Sequence, residues 1–184
     1  MNSETFLGWL RYAIGRVGRS YYNYSERVYC YELYHFLRVA MFHEAIDKKY
    51  PNLFLHSEII KGEIDYEIAQ NLGIMPLGHR RSPDFLFHDP LTTAHQIAAV
   101  EVKARQDIGY GECVEDLSKL SELKERYRFN LGVFHCINIS NERILQHINR
   151  AIEEGVTIDR EIVIISVPMY GQEIEEHTIE QLLS

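Results

Sequence analysis

Apolar residues recur at helical spacing from Phe6 to Val17, and Gly15 and Gly18 mark the end of that segment. An aromatic-rich stretch follows, with Tyr21, Tyr22, Tyr24, Tyr29, Tyr31 and Tyr34 close together. Ser25 stands where a helix N-cap is wanted, and the pattern predicts a long helix running to about Lys49, ended by Pro51 and Asn52. Leu53 to Lys61 reads as a strand closed by Gly62, and Glu63 to Leu72 as a short helix. Gly73, Pro76 and Gly78, with the basic pair Arg80 and Arg81, read as a loop. Phe85 to His88 is a second strand entered through Pro83, Asp89 to Gln96 a turn, and Ile97 to Ala104 a third strand. Beyond it the periodicity predicts a helix over Glu112 to Arg128, a strand over Asn130 to Ile139 and a helix over Asn141 to Glu154. Glu161 to Val167 is a fifth strand, and Gln172 to Leu183 a helical tail.

This order of elements describes an α/β fold, a mixed β-sheet flanked by helices on both faces. The first three strands are expected as an antiparallel meander, and the later ones arrive through helical crossovers. No repeat, low-complexity tract or linker divides the chain, so residues 1–184 are expected to form one domain with a core of about 25–167.

Composition narrows the function. With 46% apolar and 25% charged residues, the chain can bury a core without disulfides or a structural metal. Its longest apolar stretch, Ile162 to Met169, is interrupted by Ser166 and Pro168 and falls short of the ~20 residues of a membrane span. Glu4 and Arg11 argue against a signal peptide. Cys30, Cys113 and Cys136 are odd in number and far apart, which argues against a disulfide framework or zinc knuckle and for a reducing cytoplasm. The net charge of -8 disfavours a passive nucleic-acid coat but leaves room for an enzyme with one basic groove.

The third strand carries the chemistry. Ala98, Val100, Val102 and Ala104 share one parity, and Ala99, Glu101, Lys103 and Arg105 the other, so the first set is expected in a core and the second on a shared face. On the preceding strand Phe85 and Phe87 face inward and Asp84 has the opposite parity. A hairpin pairing His88 with Ile97 puts Asp84 across from Glu101, with Cβ atoms ~5 Å apart. Carboxylates that close repel unless a cation lies between them, and oxygen-only ligands completed by water suit Mg²⁺.

Pro83-Asp84 followed by Glu101-Val102-Lys103 resembles the PD-(D/E)XK nuclease superfamily, the restriction-endonuclease-like fold. The flanking helices and the run Asp116-Leu117-Ser118-Lys119-Leu120 add to the likeness, which covers residues 25–140. The resemblance implies Mg²⁺-dependent phosphodiester hydrolysis, with Mn²⁺ as a substitute and DNA the substrate by family habit. It makes Asp84 and Glu101 metal ligands, the Val102 carbonyl a further ligand, and Lys103 the residue that positions water and stabilises phosphorane charge. It also implies a carboxylate from the long helix, for which Glu32 is the candidate and Glu58 a weaker competitor. Arg80, Arg81 and Arg105 would place positive charge near a scissile phosphate. Pairing into a homodimer is common among restriction-like folds. The alternative is an accessory protein that keeps the fold without useful catalysis, which the acidic total and the aromatic N-terminal region fit. Gly109-Tyr110-Gly111 lacks the third glycine of a dinucleotide fingerprint, and His35 and His88 read as structural.

Overall fold

The computed structural model describes residues 1–57, 83–92 and 94–184. Helix α1 (Ser3–Arg16) begins ahead of the apolar stretch because the Asn2 side chain accepts a hydrogen bond from the Thr5 amide at 3.0 Å and caps it. Its buried stripe of Phe6, Leu7, Leu10, Ala13 and Ile14 has the spacing of one helical face. A short 3-10 turn (Arg19–Asn23) leads to α2 (Glu26–His43). The long helix expected to reach Lys49 is broken at Ala45, whose φ of 53° is left-handed, and resumes as the single turn α3 (Ile46–Lys49).

The sheet has β1 (Phe54–Ser57), β2 (Phe85–His88), β3 (Gln96–Lys103), β4 (Leu131–Ile137), β5 (Val163–Val167) and β6 (Glu175–Thr178), side by side in chain order among the described residues. β1, β2 and β3 are the expected antiparallel meander. Helices α4 (Tyr110–Tyr127) and α5 (Asn141–Glu153) carry the chain over to the parallel strands β4 and β5. The fold is therefore α/β, with a mixed sheet flanked by helices. The remainder of the strand expected to Lys61, the helix at Glu63 to Leu72 and the loop with Arg80 and Arg81 lie outside the described residues.

Strand parity sorts two cores. Val100 and Val102 pack with Phe85, Phe87 and the inner faces of α1 and α2. Ala99 packs with Leu86, Phe134 and Ile164 under α4 and α5. Every position of β3 except Lys103 is buried, as expected of a strand covered on both sides. The face shared by Ala99 and Glu101 is therefore a second core.

The tail differs from its expected helix. Glu175 to Thr178 form β6, antiparallel to β5, and only Ile179–Leu183 are helical (α6), opened by a capping box between Thr178 and Gln181. β6 is an edge strand without apolar alternation, so backbone pairing rather than burial defines it. Arg11 on α1 ties it down, donating two hydrogen bonds of 2.7 Å to the Glu176 carboxylate.

Candidate active site

The β2–β3 ladder pairs Phe85 with Val100, Leu86 with Ala99 and Phe87 with Ala98. Its continuation by one residue sets Asp84 across from Glu101, as the hairpin predicts. The pairing of His88 with Ile97 does not hold: a bulge between Phe87 and His88 pairs His88 with Gln96 instead, and the slip stays at the far end of the hairpin. Asp84 is fixed by its Oδ2 atom, which accepts a 2.7 Å hydrogen bond from the Val102 amide. That bond ties the start of β2 to the strand carrying Glu101 and Lys103.

Glu101 is 3% exposed and meets the ammonium of Lys119, on α4, at 2.9 Å. Lys119 also donates a 3.0 Å hydrogen bond to Asp116 one turn earlier on α4. The other Asp116 oxygen lies 2.9 Å from the Lys103 ammonium. Glu26, in the first turn of α2, lies 3.7 Å from the same ammonium and accepts a 3.2 Å hydrogen bond from the Ala104 amide. Four carboxyl groups, Asp84, Glu101, Asp116 and Glu26, thus surround two ammonium groups.

Among the described residues, if all six are ionised the cluster is two positive charges short of neutral, and both carboxyl shifts run in the direction that relieves it. Burial, and then the proximity of Glu26, push Asp84 up to about 6 from 3.8. Glu101 is raised well above the usual carboxylate range, first by burial and then by Asp84. Burial alone would lower Lys103, but Asp116 and Glu26 outweigh it and hold the ammonium charged. Lys119 is likewise raised against its burial by Glu101 and Asp116. Glu101 Oε1 and Asp116 Oδ2 are buried and accept no hydrogen bond of good geometry, although each faces a lysine. Buried oxygens left in that condition are costly.

Among the described residues, no three carboxylate, imidazole or thiol groups converge into a ready metal cage. Mg²⁺ does not require one, since it is commonly held by one or two carboxylates together with waters and substrate phosphates. Asp84, Glu101 and the carbonyl of Val102 fit that donor set. The charge deficit fits as well, because one divalent cation cancels it.

Other expected residues fall elsewhere. Glu32 sits half-buried on α2, six residues and ~9 Å of helix beyond Glu26, and makes no hydrogen bond or ion pair among the described residues. Glu26, not Glu32, is the helix carboxylate brought to Lys103. It heads the stripe Glu26, Tyr29, Cys30, Leu33 and Leu37, whose apolar members are all buried, so helical spacing alone could have found it. Arg105 is largely exposed and pairs with Glu112 at 3.3 Å. Arg80, Arg81 and Glu58 lie outside the described residues. His88 contacts His56 at 3.0 Å and His35 is exposed. Lys119 and Asp116 were visible in sequence only as part of a helical run, because an i, i+3 pair of opposite charges ordinarily marks a solvated surface.

No family model, curated protein or solved structure matches the chain.

Proposed function

We propose that the protein is a Mg²⁺-dependent phosphodiesterase acting on nucleic acid, with DNA the favoured substrate. The observation that carries this reading is the opposition of Asp84 and Glu101 at the open end of the β2–β3 hairpin, in a cluster that lacks two positive charges among the described residues, with Lys103 two residues along the same strand. Asp84 and Glu101, with the Val102 carbonyl, would hold the ion. When bound, Mg²⁺ supplies Lewis-acid polarisation of a phosphoryl oxygen and an acidified water. Lys103 is kept cationic by Asp116 and Glu26, so its contribution is electrostatic, toward charge developing on phosphorus, and it is not a general base at neutral pH. Asp116 and Glu26 position that ammonium. Asp84 gives up its proton near pH 6 and is ready as an anion at neutral pH.

Calorimetric titration of the chain with Mg²⁺ at pH 5.5 and 7.5 tests the reading. A cation that displaces protons from Asp84 and Glu101 binds more tightly at the higher pH and releases protons as it binds. Absence of Mg²⁺ binding at both pH values removes the proposal.

One observation favours a second reading. The contact of Lys119 with Glu101 at 2.9 Å gives that carboxylate a counter-charge within the chain. A protein in which this lysine holds the place of a metal is an accessory or binding protein without catalysis. Mg²⁺-independent stability and failure to bind the ion identify that case.

A further inference from the structure

The ammonium of Lys119 makes two close contacts, and they are not equal. To Asp116 Oδ1 it donates an aligned hydrogen bond of 3.0 Å. Glu101 Oε1 lies as near, at 2.9 Å, yet this oxygen accepts no hydrogen bond of good geometry among the described residues. Glu101 is 3% exposed, and its Oε1 atom is shut off from bulk water. A buried carboxylate oxygen without an aligned donor is costly, and Asp84 stands close enough to raise the charge penalty further. Glu101 is thus the loosely held end of the Lys119 bridge, and Asp116 the firmly held end.

Asp116 gives the lysine somewhere to go. Its Oδ1 atom takes Lys119 while its Oδ2 atom lies 2.9 Å from Lys103, so one carboxylate seats both ammonium groups. It stands three residues before Lys119 on the same helix, so a side chain leaving Glu101 keeps this partner without any movement of α4. Lysine suits such a movement, with a compact charge and three rotatable donors on a flexible four-carbon stem. Burial alone would lower Lys119, but Glu101 and Asp116 outweigh it and keep it cationic.

We infer that Lys119 is an exchangeable internal counter-ion, which neutralises Glu101 while the site is empty and withdraws onto Asp116 when a divalent cation is bound. The inference deepens the phosphodiesterase reading and rests on it for the identity of the ion. Lys119 is then a positioning residue that sets metal affinity by competing for Glu101, and it is neither a ligand nor a permanent plug. A positive charge a few ångströms from a divalent cation repels it strongly even at an effective dielectric of ~20, so the resident lysine weakens binding. A lysine that merely supported the fold, or held Glu101 ready for the ion, would have the opposite effect, because its loss would weaken binding.

The test is calorimetric titration of the full chain with Mg²⁺ alone at pH 7.5, for wild type, Lys119→Gln, Asp116→Asn and the double variant, with no substrate present. Lys119→Gln is expected to bind Mg²⁺ about tenfold or more tightly than wild type. Asp116→Asn is expected to bind about tenfold more weakly, because Lys119 loses its second seat and stays on Glu101. That loss should largely disappear when Lys119 is already Gln. Independent effects would combine to within about twofold, so the cycle separates coupling through Lys119 from the bare charge of Asp116. Equal or weaker binding by Lys119→Gln overturns the inference, and so does an Asp116→Asn effect of the same size in both backgrounds. If Lys119→Gln fails to fold by near-UV circular dichroism, the wild type still decides. The Lys119 ammonium nitrogen resonance, assigned by its loss in Lys119→Arg, should shift as Mg²⁺ is added, and a resonance stationary at saturating Mg²⁺ overturns the inference. Binding seen only after Lys119 is replaced overturns exchange as well, since the lysine would then be a permanent occupant. No Mg²⁺ binding by any of the four proteins would overturn the phosphodiesterase reading itself.

Discussion

Replacing Asp84 by Asn should make the metal-free protein more stable, and the size of the gain can be worked out. Asp84 ionises at about 6 in the folded chain against 3.8 when unperturbed, because it is buried and stands beside Glu26. Its folded-state value is raised, so the favourable contribution of the protonated form is complete below pH 3.8 and is lost as pH rises through 6. The gap corresponds to about 3 kcal/mol at about 1.4 kcal/mol per pH unit. The Val102 hydrogen bond is already inside that figure, and an Asn oxygen can still accept it. Asp84→Asn should therefore stabilise the chain by about 1–3 kcal/mol at pH 7.5, and most of this gain should vanish at pH 4. For a chain of this size that is a rise in Tm of about 2–12 °C. Urea unfolding of both proteins at the two pH values, in chelator, measures it. A variant less stable than wild type at pH 7.5, or a gain unchanged at pH 4, would refute the electrostatic reasoning. Repeating the pH 7.5 experiment in Mg²⁺ should erase the difference, since only the wild type gains from the ion.

Further outcomes are expected at other positions. Lys119→Met should cost about 3–5 kcal/mol at pH 7.5, because it leaves Glu101 and Asp116 buried without their cation. Glu101 is also raised in the folded state, so that cost should shrink as pH falls toward the carboxylate range, and denaturant curves showing no pH dependence would count against it. Lys103→Ala should lower turnover by about 10²–10³-fold while calorimetry still detects Mg²⁺ binding, and unchanged turnover would take Lys103 out of the mechanism. Arg128 ends α4 with a left-handed φ of 60° and is exposed, so Arg128→Gly should add about 0.5–1 kcal/mol in thermal unfolding, and no gain would mean that its side chain has a compensating contact.

Much of this architecture was legible because local pattern and burial agree. The alternation of Ala98, Val100 and Val102 against Ala99, Glu101 and Lys103 fixed the faces of β3, and the parity of Phe85 and Phe87 fixed the hairpin that brings Asp84 to Glu101. What was missed has physical causes. Glu101 and Lys119 lie in a second core, and polar letters give no sign of burial when their charges are paired across elements distant in sequence. Glu32 has apolar neighbours at helical spacing, as a site carboxylate should, yet the buried stripe of α2 is the one headed by Glu26. β6 consists of Glu175, Glu176, His177 and Thr178, and only pairing with β5 makes it a strand. The break at Ala45 follows no glycine or proline, and it leads into Ile46, which is buried in the first core.

Among the described residues, no helix is long and apolar enough to cross a membrane. The acidic total is distributed unevenly. Carboxylates gather around two lysines at the end of β3, while the exposed face of α2 carries only cations, rings and imidazoles.

The most direct trial is incubation of the purified chain with single- and double-stranded DNA and RNA in Mg²⁺, in Mn²⁺ and in chelator, beside Asp84→Asn. The charge deficit at Asp84 and Glu101 predicts cleavage that needs the metal and disappears in the variant. Failure to cut any of the four substrates, together with no heat of Mg²⁺ binding, would contradict it and leave the two lysines as permanent counter-ions of a structural cluster.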